Sequence, residues 1–349
     1  MNITDLEFFL VEIARPSGGA PVRSLLVRVA TNQGIDGWGE SRGDWRAGEL
    51  AHRRDVLLPT LAGRSVADIE ELIGLDVLDS APLRCAIEMA CWDALGRIVG
   101  QPLNRFFGGQ FRSRIPIAVR LPRGEIEQVS MLARELADQG VHTQIVSTAG
   151  RPDIDVETMA AVREAAGERA ELRLDVACRY DLDAARELDA SIKPENLQFV
   201  LDPLDTAEFE QVARLRRQMS LPVAVSAGLN SPSALLALIR SGAASHAVID
   251  LEQVGGLAQA RKCAAVCEAA GMAASLGSRP ALGIATAAIT QLAAATPSFA
   301  SANESVYPQL ADDVLSEPLT LVDGMIVVPQ SPGLGVEVDR LKIERYQVS

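Results

Sequence analysis

From Ile115 onward, eight short apolar runs recur at roughly 25-residue intervals, and this rhythm limits the fold more than any other feature of the chain. They are IPIAVR (115–120), TQIVS (143–147), LRLDV (172–176), QFVLD (198–202), PVAVS (222–226), HAVID (246–250), MAASL (272–276) and SFASAN (298–303). Stretches of helical spacing lie between them, among them EIEQVSMLARELADQ, VETMAAVREAAG and LAQARKCAAVCEAAG. One strand plus one helix is the repeat of a parallel sheet whose crossovers cover its face. Eight even units of this α/β kind close most naturally into a (β/α)8 barrel; a doubly wound sheet rarely needs eight strands so regularly spaced. Within one unit, Asn230-Ser231-Pro232 reads as a cap followed by proline in the first helical turn.

The first 40 residues have a different texture. LEFFLVEIA, VRSLLVRVAT and IDGWGES read as strands, separated by the turn-rich PSGGAP and by NQG. From Arg46 to about Gly100 the spacing becomes helical and is strongest in PLRCAIEMACWDALGRIVG. An α+β unit therefore precedes the barrel, and the closing LTLVDGMIVVPQSPGLGVEVD returns to strand and turn against it.

Composition excludes several functions. The chain of 349 residues carries 33 basic and 46 acidic side chains, a net charge of −13, so nucleic acid and anionic membrane surfaces are repelled as partners. No apolar run reaches the roughly 18 residues needed to span a bilayer. The opening MNITDLEFFLVEIARP has no basic region and carries acids inside its apolar stretch, unlike a signal peptide. Five cysteines without a CxxC pattern point to reduced thiols and a cytoplasmic setting. Cys263 and Cys267, four apart in an alanine-rich helix, read as packing residues before a redox or metal pair.

Several fragments, taken in order, resemble the mandelate racemase/muconate lactonizing enzyme family of the enolase superfamily. GIDGWGES is similar to the family strand ending in GWGE (Gly37 to Glu40), and AIEMACWDALGRIVGQPLNRFFGG (Ala86 to Gly109) to its hinge region. VETMAAVREAAG, the Gly255-Gly256 pair, GIATAAITQLAAATP and SPGLGVEVD also fit, so the resemblance runs nearly end to end. It implies a (β/α)8 barrel (113–315) with an N-terminal α+β capping domain (1–112), completed by a C-terminal segment (316–349). It also implies an isomerase or lyase that uses Mg²⁺ to abstract a proton α to a carboxylate, and a homo-oligomer.

The family's catalytic positions, carried over one at a time, are largely not matched. Asp175 matches the metal-ligating Asp of strand three, with Ala177 where an Asn is usual. In Val200-Leu201-Asp202-Pro203, Leu201 takes the second ligand's place and Asp202 the place after it. In Pro222-Val-Ala-Val-Ser226-Ala227, Ser226 stands where the third ligand belongs. The K-x-K bases of strand two fall on Ile145 and Ser147, and Ala281 occupies a place where many members have Glu. Asp250 matches the Lys or Asp of strand six, but MAASLGSRP offers no histidine for an Asp to orient.

One carboxylate is a weak trap for a hard divalent cation, so no cofactor is expected from the residues, while Mg²⁺ follows from the resemblance. Asp175 is either the last metal ligand or a strand-end acid held by backbone or by Arg179. Asp250 is a catalytic candidate or a satisfied strand-end acid, and Asp202 reads as a cap for the turn that follows it. Arg120, Ser147, Ser226 and Arg279 are candidate contacts for a small carboxylate, the arginines as forks and the serines as hydroxyls or small fillers. Arg120 and Arg279 would also balance the charge of the missing ion, unless both point into solvent. ARPSGGAP (Ala14 to Pro21) is either a lid over the site or an ordinary surface turn. These residues favour a degenerate family member that binds a small carboxylate. The alternative is an isomerase, racemase, lyase or dehydratase on an acid sugar, hydroxy acid or amino-acid derivative, working through a rearranged site.

Overall fold

The computed structural model describes residues 1–16, 18–192, 197–205 and 208–348. The chain opens with an antiparallel sheet, β1 (Ile3–Ile13), β2 (Val22–Thr31) and β3 (Asp36–Arg42), in that spatial order. Helices α1 (Ala47–Leu61), α2 (Ile69–Ile73) and α3 (Ala81–Val99) follow. Leu6, Leu10, Leu25, Val27 and Val29 of the sheet pack with Leu50, Leu57 and Leu61 of α1 and with Ala86, Ala90 and Ala94 of α3 into one apolar core. The glycines of GWGE explain how closely α3 lies on β3. A Cβ on Gly37 would sit 1.9 Å from the Ala90 carbonyl oxygen, and one on Gly39 1.9 Å from that of Ala86. No side chain fits there, so sheet and helix meet backbone to backbone.

The eight runs form a (β/α)8 barrel. Its strands are β4 (Arg114–Arg120), β5 (Thr143–Ser147), β6 (Glu171–Asp175), β7 (Phe199–Leu201), β8 (Val223–Val225), β9 (His246–Asp250), β10 (Ala273–Gly277) and β11 (Asn303–Glu304). Strands β4 to β10 are parallel neighbours in chain order, and β11 returns to β4 with Glu304 opposite Ala118. The eighth run lies slightly later than the pattern SFASAN predicts. The Asn303 side chain helps to close the wall, since its Oδ1 accepts the Leu276 N–H at 2.8 Å.

The outer ring is α4 (Ile126–Asp138), α5 (Pro152–Ala166), α6 (Leu182–Ser191), α7 (Phe209–Arg216), α8 (Pro232–Ser241), the short α9 (Leu251–Val254), α10 (Leu257–Ala270) and α11 (Gly283–Ala295). In α4, Val129, Leu132, Ala133 and Leu136 are buried at spacings of three and four, the stripe that faces a barrel wall. Helix α8 starts as its sequence predicts, with Ser231 Oγ accepting the Ala234 N–H and Pro232 in the first turn.

The last segment divides its contacts. A hairpin, β12 (Leu321–Val322) and β13 (Met325–Val327), pairs antiparallel with the start of β4, whereas α12 (Arg340–Tyr346) leads back to β1, where the Val348 N–H reaches the Leu10 carbonyl at 2.9 Å. Among the described residues no helix is long and apolar enough to cross a membrane.

Candidate active site

Side chains alternate along each strand, so every second residue of the barrel points into its lumen. At the C-terminal ends this rule brings Arg120, Ser147, Asp175, Leu201, Asp250, Gly277 and Glu304 to one rim, joined by Asp202, Ser226 and Arg279 just beyond the strands. Together they line a cavity of about 660 Å³ at the barrel mouth. Arg15, Gly19 and Ala20 of the ARPSGGAP stretch line it too, which makes that stretch part of the cavity wall; its Ser17 lies outside the described residues.

Arg120 organises the floor. Its Nη1 donates to Asp175 Oδ2, and its Nη2 lies 3.4 Å from Glu304 Oε2. Asp175 stands two strands away, so the guanidinium has to cross the end of β5, where the short Ser147 leaves room. Asp175 Oδ1 accepts the Ala177 N–H at 2.8 Å. Its partners are thus Arg120 and nearby backbone, not the Arg179 that sequence proximity offers. Arg279 reaches its expected partner only loosely, with Nε 3.7 Å from Asp250 Oδ2 and 58% of its side chain exposed. The other Asp250 oxygen, Oδ1, accepts the N–H groups of Glu252 at 2.8 Å and Gln253 at 3.1 Å at the start of α9.

Asp202 corrects the sequence expectation. Among the described residues it caps no N–H group of its own turn. From a left-handed backbone (φ +49°), Oδ1 accepts the N–H groups of Ser226 at 2.8 Å and Ala227 at 3.0 Å. The carboxylate therefore ties the end of β7 to the end of β8. Burial pushes Asp202 up to about 6 against those two donors, with the nearby charges of Asp175 and Glu304 adding to the rise. Burial raises Asp250 and Glu304 as well, opposed by the Gln253 N–H and Arg279 at the first and by Arg120 at the second.

Among the described residues no base activates the serines. Ser147 Oγ is 3.4 Å from the Leu121 carbonyl, Ser278 Oγ donates to the Arg279 carbonyl, and Ser226 enters through its backbone. Cys178, also in the wall, is no thiolate, since burial and the acids around it raise the thiol to about 11. Cys263 and Cys267 are buried free thiols of α10, raised by burial, and act as packing.

Mg²⁺ does not fit these residues. Asp175, which the family resemblance offers as a ligand, is engaged by Arg120; Leu201 is apolar and 4% exposed; Ser226 offers no charge. Among the described residues no group of three or more histidine, cysteine or acidic side chains is placed to hold a metal ion. No lysine or histidine lines the cavity among them. Sequence reading missed Glu304 and Arg15. Glu304 follows directly on a run read as the eighth strand, and an acid just past a barrel strand is the signal that would have found it. Arg15 had no such signal, because its place in the wall depends on how its loop folds back.

Comparison with known proteins agrees with this architecture. Residues 17–108 match the family described as "Mandelate racemase / muconate lactonizing enzyme, N-terminal domain", and residues 128–342 match "Enolase C-terminal domain-like". Muconate cycloisomerase 1 of Rhodococcus opacus is 28% identical over 329 residues, spanning 90% of this chain and 88% of that protein. Chloromuconate cycloisomerase of Cupriavidus pinatubonensis is 26% identical, spanning 99% of this chain and 96% of its own. The crystal structure of an N-succinyl Arg/Lys racemase from Bacillus cereus superposes with a TM-score of 0.90 at 24% identity, covering 100% of this chain and 99% of that one, a likeness of fold.

Proposed function

The chain belongs to the mandelate racemase/muconate lactonizing enzyme family of the enolase superfamily, and from that premise we propose that it is a degenerate member: it binds a small carboxylate at the barrel mouth and does not perform Mg²⁺-dependent α-proton abstraction. Its relatives include proteins named as cycloisomerases and a racemase, so the family is one of active enzymes. The observation that carries the proposal is the pairing of Asp175 with Arg120 where the family resemblance implies a metal ligand. Proton abstraction beside a carboxylate needs a base in reach and a cation for the developing negative charge. Arginine supplies the charge but no base at neutral pH. The rim guanidinium of Arg279 and that of Arg15, which donates to the Ala20 carbonyl, face the cavity with donors to spare for an anion. Ser147 and Ser226 complete the contacts we assign to the ligand. Five free cysteines agree with a reducing, cytoplasmic setting, and the proposal includes a homo-oligomer on family grounds.

A second reading has one observation in its favour. Asp202, held near 6, is a carboxyl able to exchange a proton near neutral pH, and burial raises Asp250 in the same direction; a metal-free isomerase or lyase with a rearranged site would use such groups, Asp250 being its catalytic candidate. One experiment separates the two. Protein dialysed against EDTA is titrated calorimetrically with acid sugars, N-acyl amino acids and hydroxy acids, and each mixture is then followed by proton NMR in D₂O. Binding without α-proton exchange is expected. Exchange that Asp250→Asn abolishes would install the second reading, and stoichiometric Mg²⁺ retained by protein dialysed against buffer without chelator would overturn both.

A further inference from the structure

We infer that Arg120 is the resident cation of the barrel: its guanidinium occupies the space between Asp175 and Glu304 that a divalent ion would need, and it keeps such ions out. The inference rests on the metal-free reading above and adds the device that makes the mouth metal-free. Strands β4, β6 and β11 bring the three side chains together, and one guanidinium meets both acids. Asp175 and Glu304 are 14% and 9% exposed as side chains, so two acids this buried require a cation close by. Arginine meets that need through a planar, permanently charged fork with a donor for each carboxylate.

The surroundings are shaped for this arrangement. Ile145 and Ser147 leave the lumen side of β5 without charge, so that strand offers no cation to compete with Arg120 for the two acids. One layer deeper, Arg173 is 1% exposed and stacks 4.8 Å over the Phe199 ring, its Nη1 and Nη2 without hydrogen-bond partners among the described residues. A second buried guanidinium raises the positive potential under the mouth, and a divalent ion would approach against it. Asp202 has only Oδ2 left over, because its Oδ1 is committed to the N–H groups of Ser226 and Ala227 just past β8. A hard cation held by one or two carboxylates plus water would fit this place only after Arg120 had left it.

The test compares the wild-type chain with R120M, R120K and the double variant R120M/D175N. Mn²⁺ binding is read by electron paramagnetic resonance, and melting is followed with and without millimolar Mg²⁺. The wild type is expected to bind no Mn²⁺ tightly and to melt identically with metal or EDTA. R120M should gain at least ~10-fold in Mn²⁺ affinity and melt higher with metal present, since two freed carboxylates suffice for a hydrated ion. R120K keeps a cation and should stay indifferent to metal, and the double variant should lose the gain. Wild type that binds Mn²⁺ as tightly as R120M, or an R120M without any gain, overturns the inference. Should R120M fail to fold, a folded double variant supports it, because the unpaired acid is then at fault; a double variant that also fails overturns it. Carboxylate titration of the same EDTA-treated wild type keeps the two proposals apart: loss of ligand binding with metal behaviour as expected sinks only the proposed function.

Discussion

Buried acids occur both at the seam between the N-terminal sheet and the barrel and at the barrel mouth, but different groups answer them. At the seam the answer is mainly backbone. Glu40, at the end of GWGE, accepts the N–H groups of Leu282 and Ala285 at the start of α11 and the Ser24 hydroxyl. Glu88 accepts those of Leu257 and Ala258 at the start of α10, together with Trp92 Nε1. Asp93 joins the N–H groups of Trp38 and Leu334 and is backed by Arg97. At the mouth the acids Asp175, Glu304 and Asp250 are answered in part by arginine side chains. Helix N-termini are fixed donors that hold two bodies in one geometry. Guanidiniums on flexible stems can turn to a ligand. The family fragments GWGE and AIEMACWDALGRIVG are therefore building parts, which join the N-terminal sheet to the barrel.

The largest expected effects test the seam. Gly39→Ala drives a Cβ into the Ala86 carbonyl, with no flexible side chain to give way, and should leave little folded protein as judged by solubility and circular dichroism. Glu40→Ala orphans two buried N–H groups at the α11 N-terminus and should cost about 3 kcal/mol in urea unfolding. Ser226→Ala at the mouth should leave both measures unchanged, since Ser226 contributes its backbone to Asp202 and Gln253. A Glu40→Ala protein as stable as the wild type would erase the distinction between the two regions.

Sequence reading found the building parts more readily than the chemistry, for physical reasons. TQIVS and HAVID coincide with β5 and β9 because alternating burial writes a period of two into the chain. That Leu201 and Ser226 carry no carboxylate is also read directly from the chain, since residue identity needs no coordinates. What the mouth holds instead was only half visible. The Arg120–Asp175 pair joins residues 55 apart across an intervening strand, which no local pattern encodes. Asp202 reads as a turn cap because the Asp-Pro pair suggests one, yet the φ of +49° sends its carboxylate across to β8. Glu304 was passed over because the eighth strand is only two residues long.

A middle-sized effect tests the mouth. Arg279 is the most exposed of its paired cations and contacts Asp250 at 3.7 Å, so Arg279→Ala should leave the melting temperature within about a degree, as surface pairs contribute little. Affinity for a carboxylate ligand should fall about tenfold, the scale of one charge-assisted contact. An unchanged dissociation constant would move the ligand away from this side of the cavity.

The smallest effect is a pH dependence that belongs to the mouth alone. The charges of Asp175 and Glu304, the Cys178 thiol, and the Ser226 and Ala227 N–H groups just past β8 all act on Asp202, and Arg120 lines the same cavity. Its carboxyl is raised to about 6. Below that value it is neutral, and one of the four acids lining the cavity no longer repels a bound carboxylate. As pH falls from 7 to 5, affinity should therefore rise about threefold for a ligand acidic enough to stay ionised, a modest change because the repulsion acts through a partly solvated cavity. Asp202→Asn should flatten the profile at its low-pH level while keeping one acceptor for the β8 N–H groups. A flat wild-type profile, or one that rises toward pH 8, would show that Asp202 does not face the ligand and would confine binding to the Arg15 and Arg279 rim.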